Sequence, residues 1–230
     1  MPNAEASAAA EAIRHGDLAE LKRLLSAHPE LATAHIDGIR TLLHVATDWP
    51  GHFPNGAASV ASLIAHGANV NAPAQGPHAE TPLHWAASCD DVAVLDTLLD
   101  CGANIEARGA VIGGGTPLSD AVAFGQWSAA RRLIERGAKA SLWEAAALGL
   151  MPELEANFDS PVAAEEVTNA FWSACHGGQL GAAEYLLGKG ADMNWIGHGG
   201  RTPLEAAKRS HAENVVAWLR TLTGRRPEPR

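Results

Sequence analysis

One short pattern recurs along this chain and constrains what it can fold into more than any other feature. Thr81-Pro82-Leu83-His84-Trp85-Ala86-Ala87 is preceded by Thr41-Leu42-Leu43-His44-Val45-Ala46-Thr47. It is followed by Thr116-Pro117-Leu118-Ser119-Asp120-Ala121-Val122 and by Thr202-Pro203-Leu204-Glu205-Ala206-Ala207. The threonines are 40, 35 and 86 residues apart, and the last interval leaves room for two degenerate copies. A repeat of this length is one supersecondary unit that buries its apolar face only by stacking on its neighbours.

The residue choices within a copy describe two helices. Threonine caps free amides at a helix start, and proline is tolerated in the first turn, where its missing N–H is not needed. Leucine and paired alanines then let helices approach closely. The second helix carries a leucine pair and stops at a glycine suited to a left-handed C-cap. These stops read Leu63-Ile64-Ala65-His66-Gly67, Leu98-Leu99-Asp100-Cys101-Gly102, Leu133-Ile134-Glu135-Arg136-Gly137 and Leu186-Leu187-Gly188-Lys189-Gly190.

A period near 33 carrying T-P-L-H-x-A resembles the ankyrin repeat. The resemblance implies an all-α solenoid of about seven helix pairs with extended finger loops and a concave groove. It covers one domain over residues 1–222, with an N-terminal cap at about 4–28 and a C-terminal cap at about 200–222. Residues 223–230, which include Arg225-Arg226-Pro227-Glu228-Pro229-Arg230, read as a basic flexible tail. Repeats start near Thr41, Thr81, Thr116, Ser141 and Thr202, and one more holds Thr168-Asn169-Ala170-Phe171. Two segments depart from a plain array. Asp48–Gly56 lengthens an inter-helix turn, and Val111-Ile112-Gly113-Gly114-Gly115 enriches a finger in glycine. Such additions cluster on one face of a solenoid, often the binding face.

Composition excludes several functions. A formal net charge of −9 argues against a general affinity for nucleic acid. No apolar run approaches a membrane span and no signal peptide is visible, so a soluble cytoplasmic protein is expected. Cys89, Cys101 and Cys175 are an odd count without framework spacing, as reduced thiols would be. No two histidines sit at helical i, i+4 spacing with an acid partner, and Cys175 and His176 diverge on a helix, so neither metal nor cofactor is expected. Gly113-Gly114-Gly115-Thr116 lacks the lysine of a phosphate-binding loop.

The ankyrin pattern implies which residues look onto the concave face: the position after the histidine and the two after the alanine pair. That register gives Glu11, Val45, Trp85, Asp120, Glu144 and Trp172, flanked by Asp48-Trp49, Ser88-Cys89, Ala123-Phe124, Ala147-Leu148 and Cys175-His176. Trp143 falls in the histidine slot. With 7 Trp against 1 Tyr and 4 Phe, the aromatic content favours large rings that anchor partners. Trp49, Trp85, Cys89, Asp120, Phe124, Glu144, Trp172 and His176 are therefore the candidate partner-binding residues. Their mixture of rings and acids points to a protein or peptide partner of basic or amphipathic character. An alternative is a Trp-lined small-molecule pocket, in which Asp120 or Glu144 serves as acid or base and His176 assists. A structural subunit of a larger assembly is a third reading.

Overall fold

The threonine-proline starts and leucine-glycine stops act as the sequence requires. The computed structural model describes residues 4–223, and among them the chain forms fourteen α-helices in seven consecutive pairs, with no strand. It divides after Ala138 into two compact units.

The first unit holds four pairs. α1 (Ala4–His15) and α2 (Leu18–Ala27) form the N-terminal cap. Asp17 caps α2 by accepting from the Glu20 amide at 2.9 Å, and Ile13, Leu21 and Leu25 are fully buried. α3 (Leu42–Ala46) pairs with α4 (Gly56–Ala65), α5 (Pro82–Ser88) with α6 (Val92–Asp100), and α7 (Pro117–Phe124) with α8 (Trp127–Glu135). In the second unit α9 (Leu142–Leu148) pairs with α10 (Met151–Ala156) and α11 (Ala164–His176) with α12 (Leu180–Gly188). α13 (Pro203–Arg209) and α14 (Glu213–Thr223) close the chain. The basic tail expected beyond Thr223 lies outside the described residues.

Each repeated residue has a mechanical job. His44 and His84 stand third in their helices and turn back on the caps. The Thr41 and Thr81 backbone N–H groups donate to their Nδ1 atoms at 3.3 and 3.0 Å. The opposite ring nitrogens donate to carbonyls of the following finger, Nε2 of His44 to Glu80 at 3.1 Å and Nε2 of His84 to Gly115 at 3.5 Å. Both rings are fully buried, and desolvation lowers each pKa to about 4, so they are neutral struts between repeats. At the stops, the amides of Ala68, Ala103, Ala138 and Ala191 reach back to the carbonyls of Leu63, Leu98, Leu133 and Leu186 at 2.9–3.2 Å. The intervening Gly67, Gly102, Gly137 and Gly190 have φ between 89° and 97°, the left-handed geometry this closure needs. Between the outer helices α6 and α8, Arg132 and Arg136 bracket Asp96 at 2.8 and 2.7 Å.

Two repeats in the second unit differ from expectation. The histidine slot of the repeat starting at Ser141 belongs to Glu144, not Trp143. The Glu144 carboxylate accepts from the Ser141 amide at 2.7 Å and hydroxyl at 2.6 Å, closing a capping box as Glu205 does with Thr202. Serine, leucine, tryptophan and glutamate replace threonine, proline, leucine and histidine one for one, so the tryptophan misleads a reader who weighs rings above cap chemistry. Thr168 starts no helix at all. Without a proline after it, α11 begins at Ala164, and the Thr168 hydroxyl instead accepts from the Asp192 amide at 3.1 Å. α9 and α11 approach so closely that a methyl group at Gly177 would strike the Ala147 carbonyl.

Candidate functional site

In the first unit the ends of α3, α5 and α7 and the loops around them enclose an open hollow of about 420 Å³. Its lining is Thr47, Asp48, Trp49, Glu80, Trp85, Ser88, Cys89, Val111, Phe124 and Gln126. Both sequence additions reach it: the long turn contributes Trp49 and the glycine-rich finger contributes Val111.

The long turn is fastened at each end. Asp48 accepts from Arg40 at 2.6 Å, and the His52 amide donates to Asp91 at 2.8 Å. Gly51, with φ of 74°, lies where a side chain would collide with Cys89, which is why this turn needs glycine. Asn55 reaches the cap by donating to the Gly16 carbonyl at 2.9 Å. A fixed backbone therefore presents an indole that is 81% exposed at Trp49. Phe124, 50% exposed, faces the hollow from the end of α7. Trp85 is half-buried with its ring edge-on to His44 at 5.0 Å.

The acid content of the hollow differs from the expected Asp120 and Glu144 pair. Asp120 follows the Ser119 slot on α7 as the register requires, but it is fully buried, and neither of its oxygens has a hydrogen-bond partner. Its neighbour is Glu80, a finger residue the repeat register does not select. Trp85 donates its indole N–H to Glu80 Oε2 at 3.2 Å and so holds that carboxyl at the hollow. Burial, above all, and then the repulsion of Glu80 push Asp120 up to about 8. Two carboxylates can only accept hydrogen bonds, whereas a proton between them makes a bond. Burial and that repulsion thus favour the protonated form of Asp120 at neutral pH. Glu144 belongs to the second unit, where its carboxylate is committed to the Ser141 cap, so the pair drawn from the sequence is replaced by Glu80 and Asp120.

Cys89 is half-buried beside the Thr47 carbonyl, 3.6 Å from its sulfur. Burial, followed by Asp48 and Asp91, raises its thiol to about 11, which leaves it a protonated wall residue rather than a nucleophile.

The other aromatic candidates sit in the second unit. Trp172 is 7% exposed and donates its indole N–H to the Arg201 carbonyl at 2.8 Å. Its ring lies 5.5 Å from that of His176 and 5.1 Å from that of His198. His176 Nδ1 and the Ser210 hydroxyl are 2.9 Å apart, and His198 donates to Asn169 at 2.8 Å. Trp172 is thereby a packed post between α11 and the finger before α13, not an exposed anchor. Trp195, 6.0 Å from the His198 ring, and Ile196, 67% exposed, are nearby surface residues that the register did not select. Among the described residues, no three His, Cys, Asp or Glu side chains converge as a metal site would need, and no helix is long and apolar enough to cross a membrane.

Comparison with known proteins agrees with this architecture. The family model for ankyrin repeats matches in overlapping copies over residues 7–109 and 55–144, more than half of the chain. An ankyrin repeat and KH domain-containing protein of Caenorhabditis briggsae is 29% identical over 185 residues, 74% of this chain and 7% of that protein. The RelA-associated inhibitor of mouse is 56% identical over 45 residues, 20% of this chain and 5% of its own length. The chain thus spans only a small part of these curated relatives. Among solved structures, the human ASB11 ankyrin repeat domain superposes with a TM-score of 0.55 at 19% identity, covering 96% of this chain and 99% of that one, a likeness of fold. Ankyrin repeats generally mediate protein–protein binding. With cap histidines, leucine-glycine closures and a family model over most of its repeats, the chain belongs to the ankyrin repeat family.

Proposed function

We propose that the chain is a recognition module that grips a segment of a protein partner, basic or amphipathic in character, in the hollow of the first unit. The observation that carries this reading is the fixed, exposed Trp49 set around the same hollow as Trp85 and Phe124. Large rings held on a rigid backbone supply contact area at little entropic cost, and such residues dominate interface energetics. The rim is exposed rather than closed, which suits an extended segment better than an enclosed small molecule. Charge agrees with the same partner. Glu80 and Asp48 line the hollow, and no Lys, Arg or His does.

Selection of peptides from a displayed random library against the intact chain tests this reading. The selected peptides should carry apolar residues around a Lys or Arg. They should lose at least about tenfold in affinity on a Trp85→Ala/Phe124→Ala variant shown to be folded, while Trp195→Ala leaves them unchanged. Selected peptides that bind the double variant as tightly as the parent would overturn the assignment.

A further inference from the structure

The sequence after α14 reads Gly224-Arg225-Arg226-Pro227-Glu228-Pro229-Arg230 and lies outside the described residues. Its chemistry complements that of the hollow. In the segment three arginines outweigh one glutamate, within a chain whose formal net charge is −9. The hollow presents Asp48 and Glu80 and no Lys, Arg or His. Among the described residues six large hydrophobic side chains are exposed, and three of them, Trp49, Val111 and Phe124, line this one hollow. Apolar surface gathered in one place within a polar rim marks an interaction site.

We propose that the hollow seats the segment Arg225–Arg230 of a second copy of this chain, with its prolines against the rings and an arginine on the Glu80 carboxylate. This rests on the docking reading above and names the partner. Proline fixes φ near about −65° and turns the residue before it away from helix, so Arg226 to Pro229 dock as an extended, polyproline-like run. A chain restricted in this way loses little conformational entropy on docking. A turn of three residues puts Arg226 with Pro229 on one face and Pro227 with Arg230 on the next. Glu228 shares the third face with Arg225. Two faces thus join a ring to a cation, as the walls of the hollow join rings to acids, and the glutamate turns away from Asp48 and Glu80. Asp48 is already paired with Arg40 at 2.6 Å, so Glu80, held by the Trp85 indole at 3.2 Å, takes the arginine. Guanidinium planes also stack on aromatic faces, and aromatic-lined grooves are a recurrent seat for proline-rich segments.

The segment comes from another copy. The residues from Gly224 to Arg230 span at most about 25 Å when fully extended. Seven helices, α8 to α14, separate α7 from the segment along the chain. A second copy is not bound by that reach, and it makes occupancy of the hollow rise with protein concentration.

Mixing two full-length variants tests the seat and its source separately. The first, isotope-labelled for NMR, carries Arg225→Gln, Arg226→Gln and Arg230→Gln, so its hollow is intact and its segment is uncharged by cations. The second, unlabelled, carries Trp49→Ala and Phe124→Ala and keeps the segment. Both replaced rings are exposed, and circular dichroism checks that this variant is folded. Adding the second chain should shift the Trp49 and Trp85 indole N–H signals of the first saturably. The same added chain with its three arginines also changed to Gln should bind at least about tenfold more weakly. Changing Pro227 and Pro229 to Ala in the added chain should weaken it at least about threefold. Indoles that stay silent, or that respond equally to the chain without the arginines, overturn the self-docking. A library-selected peptide added to the same labelled sample then separates the two readings. Indole shifts with that peptide leave the docking reading standing, and silence with it as well sinks both.

Discussion

The indole N–H of Trp85 donates to a carboxyl oxygen of Glu80 across 3.2 Å, while the backbone carbonyl of Glu80 accepts from His44 at 3.1 Å. Glu80 is in this way fixed from two sides. Its backbone belongs to the strut between repeats, and its side chain belongs to the hollow. The fold and the candidate site meet at this residue, whose carboxyl adds to burial in raising Asp120.

Asp120→Asn should stabilise the protein at about pH 8 more than at about pH 5. The folded state keeps the Asp120 proton up to about 8, while the unfolded chain releases it near 3.8. Between these values the native state binds more protons, so the wild type loses stability as pH rises through that window. Asparagine keeps the size of the acid and carries no titrating proton. A gain of about 1–3 kcal/mol in urea denaturation at the higher pH is expected, shrinking towards the lower pH. A stability difference independent of pH would contradict the raised Asp120.

The buried histidines set the acid limit. Each imidazole of the unfolded chain takes up a proton near 6.5, whereas the folded rings resist protonation down to about 4. The unfolded state binds more protons in that window, so stability falls as pH drops through it, by about 2–3 kcal/mol for each ring. Replacing His84 with Gln should flatten this part of the stability–pH curve and cost about 1–3 kcal/mol near pH 7. Thermal unfolding recorded from about pH 4 to 7 measures both effects.

Glu144 works on the cap rather than in recognition. Glu144→Ala should destabilise by about 1–2 kcal/mol, and Glu144→Gln by less, because the amide oxygen still accepts from Ser141. Affinity for selected peptides should stay within about twofold in both variants. A larger loss would mean that Glu144 does contribute to the groove.

Gly177 and Gly181 offer a paired test of the second unit's packing. A methyl group at Gly177 would strike the Ala147 carbonyl, so Gly177→Ala should cost about 1–3 kcal/mol. At Gly181, inside α12, a methyl group meets nothing within 4 Å, and Gly181→Ala should stabilise by about 0.5–1 kcal/mol. Equal effects in denaturant melts would contradict the close approach of α9 and α11.

Much of the fold is legible because cap and stop chemistry is local. A threonine with a third-position acceptor, or a leucine closing over a glycine, announces its geometry within a few residues. The register placed Trp85 and Phe124 beside the hollow, and the two sequence additions marked it through Trp49 and Val111, whereas Asp120 is fully buried rather than on the groove face. It failed at Glu144, where glutamate replaces the cap histidine, and at Thr168, where a helix runs through the expected cap. Glu80 was missed for another reason. It lies in a finger, where no helical period assigns a direction, and only the fold brings it against Asp120, 40 positions later. Its one local signal was the spacing to Trp85, five residues on. Trp172 has the same register as Trp85 but is covered by the finger that supplies the Arg201 carbonyl, a long-range contact that no periodicity reveals.

The most direct measurement of the central claim is nitrogen–proton correlation NMR of the tryptophan indoles during titration with a library-selected peptide. Saturable shifts of the Trp49 and Trp85 indole N–H signals, with Trp172 and Trp195 unmoved, are the predicted result. Shifts confined to Trp172 and Trp195, with Trp49 and Trp85 silent, would contradict it and move recognition to the second unit.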